Sequence, residues 1–139
     1  MSSRPEELRD RTKKFALRVI RLFRSLPFRT DTQVLGKQLL RSGTSVAANY
    51  RAVCRARAKP EFIARIGIVA EEADETVLWL ELLIESGVVG HDKASELLTE
   101  AKELAAIFTA SQRTSMRDRN CSNSIFKLQN YSISQLLNA

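Results

Sequence analysis

The segment from Pro60 to Ile84 most constrains what this chain can become. Phe62, Ile66, Val69, Ala73, Val77, Leu80 and Ile84 recur at three- and four-residue steps, which places them on one face of an α-helix. Ala64, Ile68, Trp79 and Leu83 form a second apolar strip beside the first, and near the end VLWLELLI is apolar on nearly every side. A helix of ~27 residues is about 40 Å long, and one this apolar needs burial on more than one face. It therefore calls for other long helices around it. In a chain of 139 residues, a second copy is a natural source of part of that cover. Ile68, Leu78, Trp79, Leu82 and Leu83 are the residues expected at such an oligomer interface.

The rest of the chain supplies the partners. Five Gly and three Pro favour long helices over turn-rich structure. A first amphipathic segment, Glu6 to Leu26, carries Leu8, Phe15, Val19, Leu22 and Leu26 on one face, and Pro27 ends it. A second, capped by Thr30 or Asp31, runs through Val34, Leu35, Leu39, Val46, Tyr50, Val53 and Cys54 to about Arg57. Gly36 and Gly43 each cost that helix about 1 kcal/mol against alanine. Close approach of a neighbouring helix over Gly43, Ser45, Ala47 and Ala48 would offset this, and a break near Ser42–Thr44 is the alternative. Pro60 suits the first turn of the third helix and Gly87 its stop. Asp92 can cap a fourth that carries Ala94, Leu97, Leu98, Ala101, Leu104, Ala105 and Phe108 toward Arg113. Short connections between long helices predict an all-α, up-down antiparallel four-helix bundle over residues 1–116. Residues 117–139 form a C-terminal extension, expected to be flexible or to dock onto the bundle or a neighbour.

Charge divides the chain sharply. Residues 1–59 carry 15 Lys/Arg against 4 Asp/Glu, whereas residues 60–116 carry 4 against 11. A basic half attracts polyanions, and an acidic half can pair with it. Arg11, Lys14, Arg18 and Arg21 share one stripe of the first helix, and Lys37, Arg41, Arg51, Arg55, Arg57 and Lys59 lie on or after the second. These ten are the candidate nucleic-acid-binding residues, because arginine grips a phosphate with two hydrogen bonds and such contacts release counterions. Tyr50 is the one aromatic nearby, so stacking on single-stranded bases is not indicated. The alternative is a solvated face, or pairing with the acidic third helix.

Catalytic and metal chemistry finds little support. Glu71, Asp74 and Glu75 share a helical face and could hold a divalent cation. A dinuclear iron bundle, however, needs Glu-x-x-His on two helices, and the single histidine, His91, falls in an expected loop. Glu85, Ser86 and Gly87 exclude the arginine–histidine spacing of bundle ribonucleases. No Ser-His-Asp set and no phosphate-binding glycine loop can be assembled. Cys54 and Cys121 have no metal or redox spacing and are expected as free thiols. The N-terminus has no apolar core of a signal peptide, and no apolar run reaches the ~18 residues of a membrane span. A cytoplasmic protein without cofactor or metal is expected.

Gln38-Leu39-Leu40-Arg41-Ser42 leads into Ser45-Val46-Ala47-Ala48-Asn49. Arg55, Arg57, Lys59, Glu61 and Phe62 follow, then Glu72, Glu75, Trp79, Leu80 and Leu83. Over about residues 10–110 this order resembles the four-helix-bundle proteins encoded by intervening sequences within bacterial 23S rRNA genes, whose relatives include accessory proteins of diversity-generating retroelements. The family's Asn-Ile-Ala-Glu-Gly becomes Asn49-Tyr50-Arg51-Ala52-Val53, which loses the glutamate and the glycine. The resemblance implies a homo-oligomer, a pentamer, with a basic surface or pore toward RNA, DNA or a nucleoprotein, and no enzymatic activity. A scaffold or accessory subunit whose basic face meets an acidic protein, such as a reverse transcriptase, is the other reading. Asn49 is expected to hydrogen-bond across the bundle or to set helix register.

Overall fold

A computed structural model describes the backbone of residues 3–137 and the side chains of residues 3–120. Four α-helices follow one another: α1 (Arg4–Arg24), α2 (Thr30–Val53), α3 (Lys59–Glu85) and α4 (His91–Leu137). They run up and down around one core. α1 packs along α2, α2 along α3 and α3 along α4, while α1 and α4 meet only thinly.

Local chemistry sets the helix ends. α1 begins two residues before the expected Glu6, because Ser3 and Glu6 form a capping box. The Ser3 Oγ accepts from the Glu6 amide at 3.4 Å, and the Ser3 amide donates to Glu6 Oε2 at 2.8 Å. α2 starts after Arg29 without a side-chain cap. Asp31, an expected cap, lies inside the first turn and accepts from the Thr32 amide at 2.8 Å. Pro60 sits in the first turn of α3, and Gly87 follows the helix with φ +80°, the left-handed conformation a glycine takes readily. Asp92 lies within the first turn of α4 rather than ahead of it. The α4 backbone continues past the expected Arg113 to Leu137. Whether residues 121–139 dock through their side chains lies outside the described residues, as does Cys121.

α2 is unbroken through Ser42–Thr44. A Cβ on Gly43 would stand 2.8 and 2.9 Å from the two γ-methyls of Val19, and one on Gly36 would stand 2.7 Å from Leu26 Cδ1. The two glycines therefore let Val19 of α1, and Leu26 just after it, reach the α2 backbone, which is the close approach expected to offset their helix cost. Phe15, Val19, Leu39, Val46, Val69, Leu80, Leu83, Leu104 and Phe108 fill the centre, with Tyr50 tilted against Phe108 at 5.3 Å between ring centroids. One polar pair is sunk into the α2/α3 seam: Thr76 Oγ1 and Ser42 Oγ are 2.9 Å apart, and both residues are buried.

Candidate nucleic-acid and self-association surfaces

The ten basic candidates separate by the company they keep. Arg11 reaches across the thin α1/α4 seam. Its Nε lies 3.1 Å from both Glu100 carboxylate oxygens, and its Nη2 donates to Glu100 and, at 2.7 Å, to Glu103. Hydrogen bonding to Glu100 is the main cause that pushes the Arg11 pKa further up. Arg41 does the same across the α2/α3 seam, at 3.2 Å to Glu72, 2.7 Å to Glu75 and 3.0 Å from its Nε to Gln38. These two guanidinium groups hold helices together. Carboxylates of the chain's own acidic half stand opposite both, the pairing given above as the alternative to phosphate contact. Lys14 pairs with Asp10 one turn away at 3.0 Å, an exposed contact of small weight.

The other seven lack an ion pair within 4 Å among the described residues. Arg18 and Arg21 line a groove of about 310 Å³ between α1 and α4, which also holds Asp92 and Glu96. Lys37 and Arg51 are exposed on α2, and Arg55, Arg57 and Lys59 are exposed around the α2–α3 connection. Glu61 holds that connection: its carboxylate accepts from the Arg57 amide at 3.1 Å and from Arg65 Nε at 2.9 Å. These bonds, the Arg57 amide first, keep its pKa below the usual carboxylate range. Sequence reading passed over Arg9 and Lys13. Both turn toward α2 and, with Arg51, line a groove of about 620 Å³ between the two helices. Their i, i+4 spacing was visible. What pointed elsewhere was the neighbouring stripe through Arg11, which has the same period.

The apolar candidates separate likewise. Ile68, Leu78 and Leu82 stand on the outer side of α3 with 44, 46 and 38 % of their surface exposed. Leu83 does not join them: it is fully buried in the chain's own core, since its place on the helix turns it inward with Leu80. Trp79 lies between, half-buried against the core, with an indole Nε1 that is buried and finds no hydrogen-bond partner among the described residues. Arg41 and Glu75 face each other across the α2/α3 seam. Two turns on from each, at the same end of the antiparallel pair, stand Val34 and Leu82, both exposed. Val34 extends the apolar strip onto α2, and Phe28 in the α1–α2 connection is nearly fully exposed. Neither belonged to the expected interface.

The remaining candidates have local roles. Asn49 Nδ2 donates to the Ser45 carbonyl one turn back at 2.9 Å, not across the bundle. Buried polar contact between helices falls instead to Ser42 and Thr76. Burial, and then the neighbouring Cys54, raise the Tyr50 pKa to about 12. Cys54 is an exposed free thiol and His91 the exposed first residue of α4. Among the described residues no group of three His, Cys, Asp or Glu side chains is placed to hold a metal ion. Among them, too, no helix is long and apolar enough to cross a membrane.

The model of the 23S rRNA-intervening sequence protein family matches residues 6–110. The chain belongs to this family. The crystal structure of a protein of unknown function from the S23 ribosomal protein family of Bacteroides thetaiotaomicron VPI-5482 is similar, at 32% identity and a TM-score of 0.69. The alignment covers 75% of this chain and 96% of that one. Comparison with curated proteins finds no match. The match to the 23S rRNA-intervening sequence protein family spans α1, α2, α3 and α4 as far as residue 110. It therefore includes Arg11, Arg41, their carboxylate partners and the Glu61-Phe62 pair.

Proposed function

We propose that this protein is a non-enzymatic, cytoplasmic bundle that assembles into a homo-oligomer, a pentameric ring, and offers its basic helices to RNA, DNA or a nucleoprotein. The observation that carries this reading is a segregation of surfaces. Apolar side chains Ile68, Leu78 and Leu82 lie exposed along α3, while cations without an ion pair among the described residues stand on α1, α2 and the α2–α3 connection. Apolar area exposed in one strip favours association, because burying it releases about 25 cal/mol per Å². A field of such cations favours a polyanion.

Light scattering tests the assembly. The wild type is expected at the mass of a pentamer and Leu78→Glu/Leu82→Glu at that of a monomer; a wild-type monomer at micromolar concentration rejects it. Binding of RNA and DNA across a salt series tests the second half, and no binding at low salt removes it.

A second reading has its own support. Tyr50, the aromatic nearest the cations, is buried and offers no base a stacking surface. An acidic protein partner, a reverse transcriptase subunit among the candidates, would need no such surface. Pull-downs with and without nuclease separate the two, since a protein partner survives nuclease treatment.

A further inference from the structure

We propose that the groove between α1 and α2 is the track for the sugar-phosphate backbone, held by Arg9, Lys13 and Arg51. This rests on the nucleic-acid reading above and assigns it a place. The groove has a volume of about 620 Å³, and Thr44, Ala47 and Ala48 stand on its α2 wall. Such short side chains let a bulky ligand approach the helix backbone closely. They give a peptide no large apolar surface on which to anchor. The cations flank them: Arg9 and Lys13 are one turn apart on α1, and Arg51 stands on α2.

Two carboxylates share the groove, Glu6 and Asp10, and offset part of its charge; Arg9 is among the groups that lower the Glu6 pKa, after the hydrogen bonds from Ser3. Glu6 is bonded to Ser3 in the capping box and Asp10 to Lys14. Arg9, Lys13 and Arg51 make no ion pair within 4 Å among the described residues, in contrast to Arg11 and Arg41. With three cations against two carboxylates the groove keeps a positive balance that can meet a phosphate backbone. The antiparallel register, with Gly43 against Val19 and Gly36 against Phe23 and Leu26, brings Lys37 and Arg24 level at the far end of the same seam. Lys37 is about 21 Å along α2 from Arg51, so the cations bracket a track rather than a point. No exposed aromatic side chain lines the groove. Binding there runs through phosphates, tolerates sequence and weakens steeply with salt.

The test is fluorescence anisotropy on the full chain with a 20-nucleotide single strand of RNA, one of DNA, and the duplex of each, between about 50 and 400 mM salt. Arg9→Gln/Lys13→Gln/Arg51→Gln is compared with Lys93→Gln/Lys102→Gln/Arg113→Gln, which removes the same charge elsewhere. Circular dichroism checks that both variants fold. Loss of three phosphate contacts lowers the salt slope on single strands by about 2 and the affinity about 100-fold near 0.1 M salt. The control triple keeps the wild-type slope. Equal losses on RNA and DNA support a phosphate track. A groove variant that binds like wild type overturns the assignment and leaves the nucleic-acid reading standing. A loss confined to RNA also overturns it, since the 2′-hydroxyl would then be the ligand. Wild type that binds none of the four probes at the lowest salt refutes the broader reading and the track together.

Discussion

Replacing Gly43 with alanine sets two known effects against each other at one atom. In a helix interior the exchange is favourable by about 1 kcal/mol. Here the new Cβ meets both γ-methyls of Val19, at 2.8 and 2.9 Å, and Val19 Cβ at 3.2 Å. Carbon atoms rest about 3.5–4.0 Å apart, so the overlap approaches an ångström on two atoms. Val19 has nowhere to turn, because it is fully buried and a β-branched residue in a helix has one strongly preferred rotamer. Overpacking of this kind costs about 1–3 kcal/mol, and two clashing methyls place it in the upper half. Gly43→Ala should therefore destabilise the protein by about 1–2 kcal/mol net. In a Val19→Ala background both methyls are gone and one contact, with the Cβ at 3.2 Å, stays, so the same change should fall between neutral and a stabilisation of about 1 kcal/mol. Urea unfolding followed by the fluorescence of Trp79, the chain's one tryptophan, measures all four members of the cycle. A stabilising Gly43→Ala in the wild-type background, or an equal effect in both backgrounds, would refute the claim that this glycine exists for α1 to pack against.

Three further outcomes are expected. Thr76→Val leaves Ser42 short of its buried partner and should cost about 1–3 kcal/mol, while Ser42→Ala/Thr76→Val should cost less than the sum of the two single changes; denaturation of the four proteins decides. The hydrogen bonds from Ser3, its amide first, hold the Glu6 pKa below 4.5. Their contribution to α1 is present above pH 4.5 and lost as pH falls through the lowered folded value, so protection of the first-turn amides, taken relative to the intrinsic exchange rate, should fall on acidification and lose that pH dependence in Glu6→Gln. Burial raises the Tyr50 pKa to about 12 from 10.0; stability should decline as pH rises from 10 toward 12, because the unfolded chain ionises first. A tyrosinate absorbance titration should show a late phase that Tyr50→Phe removes.

The architecture was legible because its signals are local. Apolar residues at three- and four-residue steps, Pro60 at a helix start and Gly87 at a helix end act within a few residues of themselves. Cap details were less legible. Thr30 and Asp31 both have the chemistry of a cap, yet the cap position of α2 falls to Arg29, whereas the Ser3–Glu6 box went unread although its spacing was present. The candidate surfaces were legible only as composition. Lys13 and Lys14 are adjacent and chemically identical, so sequence cannot sort them. A rotation of about 100° between them puts Lys13 in the groove beside α2 and Lys14 away from it, against Asp10. Leu82 and Leu83 likewise differ by one step, and that step puts one outside and the other in the core.

Sequence alone determined that four helices form, where they turn, and that the chain has a basic and an acidic half, since these follow from patterns within each segment. Tertiary structure decided which charges cancel. Glu100 and Glu103 stand 89 and 92 residues from Arg11 in the chain but within hydrogen-bonding distance in space, and Glu72 and Glu75 do the same for Arg41. Packing of α4 against α1 and of α3 against α2 engages those cations and leaves Arg9, Lys13 and Arg51 without an ion pair within 4 Å among the described residues, because electrostatic pairing depends on distances of a few ångströms that only the assembled bundle sets.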